Sequence, residues 1–232
     1  MLDGLPYAQA AGLSLRLSQA RSQASTRPTR SRPGQAAKTC RLKKTKEARP
    51  GRCAFLYLDE AEFHLNPGLS RCWSPRGRRV IVPSAGQNRR VPVFGALDAM
   101  TGEVSAKITA KKRSGEFLQF LHWLLGDVYK SCRHVYLFLD NCSIHHTQAV
   151  QQFFDDHRDR VTVIWNATYA PNLNLIERFW GHLKRSAIHN YYFETVKNLE
   201  KAIMRAVRTL NRNKNHPLRL NLQTVHSLVQ AA

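Results

Sequence analysis

Three acidic residues, Asp59, Asp140 and Glu177, stand where carboxylates can carry chemistry. Asp59 ends the apolar run AFLYLD, Asp140 ends the apolar run HVYLFLD, and Glu177 lies in PNLNLIERFWGHLK, whose apolar residues recur at helical spacing. Two strand-end aspartates and one helix glutamate can converge on divalent ions such as Mg²⁺, which prefers oxygen ligands. Because paired metal ions support phosphodiester cleavage, these three are the candidate catalytic and metal-binding residues.

Each carboxylate also has a purely structural interpretation. Asp59 could be a solvated strand-end carboxylate, with the adjacent Glu60 an equal candidate for chemistry. Asp140 could open a turn or cap the following helix. Glu177 could complete a capping box with Asn174. The joint occurrence of all three in this order of strands and helix favours a catalytic site.

The strands that must position these residues follow from the hydrophobic pattern. AFLYLD, HVYLFLD and VTVIW are short apolar runs typical of buried strands. VPVFGALD and EVSAKIT flank a predicted hairpin turn at residues 99–102. If the strands of Asp59 and Asp140 are parallel neighbours, both carboxylates emerge at one edge of the sheet, where open sheets bind ligands.

Helices are predicted between and after these strands. They cover SGEFLQFLHWLLGDVYK with Ser114 as a cap, TQAVQQFFDDH, the segment after Pro171, and a segment from about Glu194. The Pro- and Gly-rich stretch from Asn66 to Arg90 is predicted to be a long loop with a small hairpin. This mixed order indicates an α/β fold in which one central sheet is covered by helices.

The charge of the chain indicates a polyanionic partner. Its 232 residues include 36 Lys and Arg against 16 Asp and Glu, a net charge of +20. Residues 1–52 carry 12 basic and 2 acidic side chains, and their composition predicts a disordered arm. The alternative for any basic cluster is a solvated surface. The candidate DNA-binding residues are Arg76, Arg78, Arg79, Lys111, Lys112, Arg113, Arg178, Lys184 and Arg185.

Other compositional features narrow the class of protein. The five cysteines include no Cys-x-x-Cys pair, which favours a reducing cytoplasm, and the Cys and His residues lack the paired spacing of structural zinc sites. No apolar stretch approaches the ~20 residues of a membrane span, so we expect a soluble protein. The length predicts one domain over residues 53–213, preceded by the basic arm and followed by a tail over residues 214–232.

With these residues in place, the sequence resembles the DDE transposases of the mariner superfamily, in its bacterial insertion-sequence branch. The resemblance runs from about Phe55 to Arg212 and is carried by YLDEAEFHLNP, VFGALDAMTG, FLDNCSIHH and YAPNLNLIERFWGHLK. The 36 residues between Asp140 and Glu177 fit the close spacing of that family.

The resemblance implies a ribonuclease-H-like fold with a central mixed five-stranded sheet flanked by helices. It implies that the three carboxylates bind two Mg²⁺ or Mn²⁺ ions, which serve hydrolytic nicking at transposon ends and attack of the freed 3′ hydroxyl on target DNA. Asn141 and His145 match positions that follow the second aspartate in the family, and we expect them to support the site without holding metal. The loop from Asn66 to Arg90 corresponds to a segment that contacts the partner subunit, which implies a homodimer on DNA in the bacterial nucleoid.

The N-terminal region departs from the family pattern, whereas Leu175, where many relatives have Pro, is a minor variation. Relatives carry helix-turn-helix domains that read transposon ends, and residues 1–52 contain no such helices. We therefore expect a truncated or split copy, with residues 1–52 native or the product of a frameshift and the DNA-reading domain encoded separately. Two alternatives stay open: a catalytically idle relic that binds DNA or dimerises, and a ribonuclease-H-like nuclease without a role in transposition.

Overall fold

The apolar runs form the strands of one sheet in a computed structural model that describes residues 53–166 and 174–216. Residues 71–81 belong to a compact unit separate from the one that holds residues 53–70, 82–166 and 174–216. The predicted basic arm and most of the predicted tail lie outside the described residues. The domain boundaries therefore stay predictions.

The sheet has five strands. They are β1 (Cys53–His64), β2 (Arg90–Asp98), β3 (Val104–Ile108), β4 (His134–Leu139) and β5 (Val161–Trp165). Their order is β3-β2-β1-β4-β5, with β2 antiparallel to β1 and β3, and β4 parallel to β1 and β5. The predicted mixed sheet is confirmed, and β1 and β4 meet the condition of being parallel neighbours.

Helices cover both faces of the sheet. The α-helices are α1 (Ser114–Trp123), α2 (Gln148–Asp156), α3 (Leu175–Leu183) and α4 (Val196–Arg212), and π-helical turns extend α1 over Leu124–Val128 and α3 over Lys184–Ile188. Side chains alternate along a strand, so β1 serves two cores. Leu56 and Leu58 pack with α1 and α2, whereas Ala61 and Phe63 pack with α3 and α4. None of the helices in the described ranges is both long and apolar enough to cross a membrane.

The hairpin predicted at residues 99–102 is confirmed. Gly102 takes the left-handed conformation (φ 68°), which glycine adopts without steric cost, and the Asp98 carboxylate accepts the Met100 N–H at 2.8 Å. On the opposite side of β3, the Asn211 side chain of α4 accepts the Val104 N–H at 2.9 Å and donates to the Val104 carbonyl at 2.8 Å. Helix α4 thereby satisfies polar backbone groups of the edge strand.

Three local predictions were wrong. Strand β1 does not end at Asp59 but runs on to His64, because it still pairs with β2 beyond Asp59. No strand forms within residues 65–89, since the expected hairpin would have no core to face: Ile81 is 87% exposed. Ser114 does not cap α1 but is its first helical residue, because the Phe117 N–H already bonds the Arg113 carbonyl.

Arg160 closes the end of the π-helical turn that follows α1. Its guanidinium donates to four backbone carbonyls, at 3.0 Å to Leu125, 2.5 Å to Tyr129, 3.1 Å to Lys130 and 3.2 Å to Cys132. These carbonyls include groups that a helix end leaves without intrahelical partners. A charged donor shared among them stabilises both the turn and the start of β5.

Arg160→Ala is expected to lower the free energy of unfolding by about 2 kcal/mol, because hydrogen bonds from a charged group contribute more than neutral ones. Urea denaturation measures the change. The exposed Arg158 is the matched control, and Arg158→Ala should stay within about 0.5 kcal/mol of the parent. Equal effects of the two substitutions would show that the carbonyl contacts do not stabilise the fold.

Candidate active site

The parallel pairing of β1 and β4 sets the first two carboxylates side by side. Tyr57 is level with Phe138, so two residues further along Asp59 is level with Asp140, which directly follows the last residue of β4. Asp59 is half-buried and Asp140 is exposed. The predicted juxtaposition is therefore present, with Asp59 inside its strand and Asp140 just past the end of its own.

Helix α3 carries Glu177 over the strand pair β1 and β2. Its buried residues Ile176, Phe179 and Trp180 pack on the sheet, and Glu177 lies on the exposed side of the helix. The helix comes very close at Gly95, the partner of Asp59 on β2: a Cβ atom there would lie 2.3 Å from Cζ2 of Trp180. Only a residue without a side chain permits this approach.

Asn174 joins the start of α3 to β1. Its side-chain amide donates to the Leu58 carbonyl at 3.2 Å, immediately before Asp59, and the side chain makes no capping bond. The capping-box interpretation of Glu177 is therefore wrong, because the Asn174 amide points to the strand instead. The carbonyl oxygen Oδ1 of Asn174 is buried without a hydrogen-bond partner in the described part of the chain.

The surroundings of Asp59 disfavour its ionisation. Burial, then repulsion from Glu60, then repulsion from Glu177 and Asp140, raise the pKa of Asp59 to about 7, against the opposing effect of the Glu60 backbone N–H. A carboxylate whose ionisation is disfavoured by its neighbours would be stabilised in its charged form by a cation. Perturbed carboxylates of this kind are typical of functional sites.

Asp140 is held by His145. The Nδ1 atom of His145 lies 3.2 Å from Oδ1 of Asp140 and 3.1 Å from its backbone carbonyl, and Oδ1 also accepts the Cys142 N–H at 3.1 Å. The hydrogen bond from His145, together with the Cys142 N–H and the positive charges of His145 and Lys112, lowers the pKa of Asp140, although partial burial opposes this. The turn-opening role considered for Asp140 is thus real, and the same carboxylate still borders Asp59.

Strand alternation separates Glu60 from Asp59. Adjacent residues of a strand point to opposite faces: Asp59 faces the side of α3 and α4, whereas Glu60 faces the side of α1. There Glu60 Oε1 meets Nε2 of His145 at 2.9 Å, with both side chains almost fully buried. Burial disfavours the charged imidazole, but hydrogen bonds with Asp140 and Glu60 outweigh it and raise the pKa of His145 to about 10.

The three carboxylates suit hard divalent ions in type. Carboxylate oxygens are the ligands that Mg²⁺ and Mn²⁺ prefer, and the pKa of Asp59 indicates a position that a cation would relieve. Within residues 53–166 and 174–216, no group of three or more His, Cys, Asp and Glu side chains is already closed around a common point. Binding of an ion between the three carboxylates would therefore require them to come closer together.

The residues predicted to support the site and to bind DNA differ in their burial and in their contacts. Asn141 closes the ends of β4 and β5 by donating to the Asn166 carbonyl at 3.1 Å. Lys112 lies close enough to Asp140 to affect its pKa. Lys184 is half-buried, with its amine 5.5 Å from the centre of the Phe63 ring. The remaining candidates are exposed, and the first three of them belong to the separate unit: Arg76, Arg78, Arg79, Lys111, Arg113, Arg178 and Arg185.

Two exposed rings lie at the same edge of the sheet. Trp165 is the last residue of β5 and pairs with Leu139, the residue before Asp140. The His146 ring stacks on it, with centroids 4.5 Å apart and an interplanar angle of 26°. The sequence pattern identified the strand but not this surface, because the stack joins residues 19 positions apart.

Residues 54–200 match the family model described as DDE superfamily endonuclease. The chain belongs to this family. Asp59, Asp140 and Glu177 all lie within the matched residues. The predicted relation to DDE proteins is thereby confirmed.

The chain is 30% identical over 155 residues to the insertion element IS630 uncharacterized 39 kDa protein of Shigella sonnei. The match covers 67% of this chain and 45% of that protein, so the chain spans less than half of the relative's length. Among solved structures it is similar to the mariner Mos1 paired end complex with Mg, at 15% identity and a TM-score of 0.51, over 76% of this chain and 55% of that one. This likeness confirms the ribonuclease-H-like fold.

The importance of three residues at this candidate site was not evident from the sequence. The sequence left Glu60 as an alternative to Asp59. Only the alternation of side chains along the whole of β1 places the two residues on opposite faces of the sheet. Asn174 was interpreted as a cap, although its place just before the helix of Glu177 was the available signal. Gly95 carried no signal in the sequence, because its role depends on a helix 80 residues away.

Proposed function

We propose that this chain carries the catalytic centre of an insertion-sequence transposase that nicks DNA at the ends of the element and joins the freed 3′ ends to target DNA. Asp59, Asp140 and Glu177 would hold two Mg²⁺ or Mn²⁺ ions. The observation that carries the proposal is the half-buried Asp59, whose pKa is raised to about 7 by burial and by carboxylates that include the other two.

The proposed chemistry has two phosphoryl transfers. In the first, water attacks the scissile phosphorus, the bond to the 3′ oxygen breaks, and that oxygen leaves as a hydroxyl after taking up a proton. In the second, the 3′ hydroxyl attacks a target phosphodiester and releases a different 3′ hydroxyl. Divalent ions, when bound, would lower the pKa of the nucleophile and neutralise charge on the phosphate.

The residues of the chain orient this chemistry. Asp140 is held in place by His145 and the Cys142 N–H. Glu177 is brought over β1 by α3, whose position depends on Gly95 and Asn174. Lys112 contributes positive charge beside Asp140, where a phosphate would approach. Contacts that hold Asp140 and α3 in place reduce the reorganisation needed at the moment of reaction.

DNA is the proposed partner of the basic surface. Lys111, Lys112 and Arg113 precede α1, and Arg178 follows Glu177 on an exposed side of α3. Such contacts would supply affinity that falls steeply with salt and carries little sequence information. The Trp165–His146 stack offers an aromatic face to an unpaired base at the same edge.

The proposed assembly is a homodimer on paired element ends, with end recognition supplied by a separately encoded helix-turn-helix protein. The structurally similar mariner Mos1 protein was solved as a paired end complex. In this chain, residues 71–81 expose the apolar side chains of Trp73, Val80 and Ile81, which suits a contact with a second copy. We place the protein on bacterial DNA in the cytoplasm.

The experiment is a nicking assay with Mg²⁺ or Mn²⁺, on DNA with paired element ends and on generic DNA. The parent should nick, and Asp140→Asn should be at least about a thousandfold slower, a barrier increase of about 4 kcal/mol. The exposed Asp159→Asn is the matched control and should keep the parental rate.

Other outcomes of this assay would contradict the proposal. Bound DNA without nicking in the parent would favour the idle relic. Nicking of generic DNA without any joining would favour a nuclease that has no role in transposition.

A further inference from the structure

Glu60 and His145 form a buried charge pair on the face of the sheet opposite Asp59. Their Oε1 and Nε2 atoms are 2.9 Å apart, and the side chains are 4% and 1% exposed. Of the ion pairs between described residues, this is the one with both partners buried. Burying an ion pair costs desolvation energy that the attraction between the two charges only partly offsets. A pair buried beside Asp140 at that cost is therefore expected to have a role.

His145 is clamped from several directions. Its ring packs on Phe117 of α1 with centroids 4.5 Å apart, and its backbone carbonyl accepts the Gln151 side chain of α2 at 2.9 Å. Nε2 faces Glu60, while Nδ1 faces both the carbonyl and Oδ1 of Asp140. The His145 ring therefore bridges Glu60 of β1 on one side and Asp140 on the other.

We propose that Glu60 is a positioning residue for the metal site: through His145 it fixes the carboxylate plane of Asp140, without itself touching metal or DNA. The inference rests on the proposed function. Oδ1 of Asp140 is anchored twice, by His145 Nδ1 and by the Cys142 N–H. Two anchors on one oxygen set the direction of the other oxygen, which then meets an incoming ion with little loss of rotational freedom.

The strand geometry explains why this task belongs to the residue next to Asp59. Alternation directs Asp59 to one face and Glu60 to the other. Two adjacent residues of β1 thus have different tasks. Asp59 supplies a carboxylate to the site, and Glu60, on the opposite face, fixes the orientation of Asp140 through His145. Loss of Glu60 would leave the buried Nε2–H of His145 without its acceptor, and such a group relaxes toward water at the expense of its other contacts.

The test uses direct Mn²⁺ binding, measured by electron paramagnetic resonance, alongside Mn²⁺-dependent nicking and thermal unfolding of the whole chain. Glu60→Ala should weaken Mn²⁺ affinity about 10- to 100-fold, as is usual when the partner of a metal ligand is lost. Glu60→Gln keeps an oxygen acceptor of the same volume but loses the charge, and should weaken the affinity less, by about two- to tenfold. The KM for DNA should not change, because Glu60 faces away from Asp59.

Glu62 is the matched control. It has the same side chain, lies two residues further along β1, and pairs only at the surface with Arg90 at 3.3 Å. Glu62→Ala and Glu62→Gln should bind Mn²⁺ like the parent. If Glu60→Ala does not fold, the comparison of Glu60→Gln with Glu62→Gln decides, and equal Mn²⁺ affinities would overturn the inference.

A double substitution tests whether Glu60 acts through His145. Glu60→Ala with His145→Ala removes both buried charges, so this variant should fold at least as well as either single one. Its Mn²⁺ affinity should be no weaker than that of His145→Ala, because effects through one pathway do not add. Additive losses would overturn the inference.

The result for the parent separates the two proposals. A parent that binds Mn²⁺ and nicks DNA, with Glu60→Ala equal to Glu62→Ala, would overturn only the role of Glu60. A parent that neither binds Mn²⁺ nor nicks DNA would overturn the proposed function and this inference with it.

Discussion

Asp59→Asn is expected to stabilise the metal-free protein at pH 8 by about 2–4 kcal/mol while it abolishes metal-dependent nicking. Burial and the neighbouring carboxylates raise the pKa of Asp59 to about 7, so at pH 8 the folded protein holds a charge that its surroundings oppose. Asparagine has nearly the same shape and no charge. The protein would thus gain stability by losing a carboxylate needed for metal binding.

The stability of the parent should depend on pH, in a direction set by the raised pKa of Asp59. Between about pH 4 and pH 7 the folded state keeps a proton on Asp59 that the unfolded state has released, so the free energy of unfolding of the parent should fall as the pH rises through this window. Above pH 7 the folded state has also released this proton, and its contribution to stability is lost. Asp59→Asn should remove this slope and should leave stability at pH 4 nearly unchanged.

Urea denaturation of parent and variant at pH 4, 6 and 8 without metal measures the effect, and Mn²⁺ should then stabilise the parent but not Asp59→Asn. Asp159→Asn, an exposed substitution of the same type, is the control and should follow the parent. A variant that is less stable than the parent at pH 8 would mean that the Asp59 carboxylate is not under electrostatic strain in the fold.

Gly95→Ala is expected to displace α3 and to cost at least about 3 kcal/mol of stability, the upper part of the usual range for overpacking. The new Cβ would lie 2.3 Å from Cζ2 and 2.7 Å from Cη2 of Trp180, and 3.0 Å from Cδ1 of Ile176. A buried indole cannot yield by that distance within its helix. Glu177 would move with α3, so metal-dependent nicking should fall at least about a hundredfold, or 2.7 kcal/mol.

Gly115 provides the matched control, because a Cβ there would meet no atom within 4 Å. Gly115→Ala lies in α1 and should stabilise the protein by about 0.5–1 kcal/mol through helix propensity. Thermal unfolding and the nicking rate of both variants are compared with the parent. Parental stability in Gly95→Ala would show that α3 does not rest on the strand pair as closely as the structure has it.

Much of this site could be predicted from residue type and local pattern. Apolar runs that end in aspartate indicated β1 and β4, and the helical spacing around Glu177 indicated α3, because burial periodicity is a local property of the chain. Errors arose where partners distant in sequence decide. Strand β1 extends past Asp59 because β2 still pairs with it, and Asn174 bonds the Leu58 carbonyl of β1 rather than its own helix.

The sequence by itself determined which carboxylates are available, their order along the chain and the sheet that receives them, because these follow from residue chemistry and hydrophobic period. Only the tertiary structure decided that Asp59 lies level with Asp140 while Glu60 turns to His145. Side chains alternate along β1, and the pairing of β1 with β2 and β4 sets which residues lie opposite one another. The charge on Asp59 likewise depends on burial and on neighbours from three separate elements. Such properties exist only once the elements have packed.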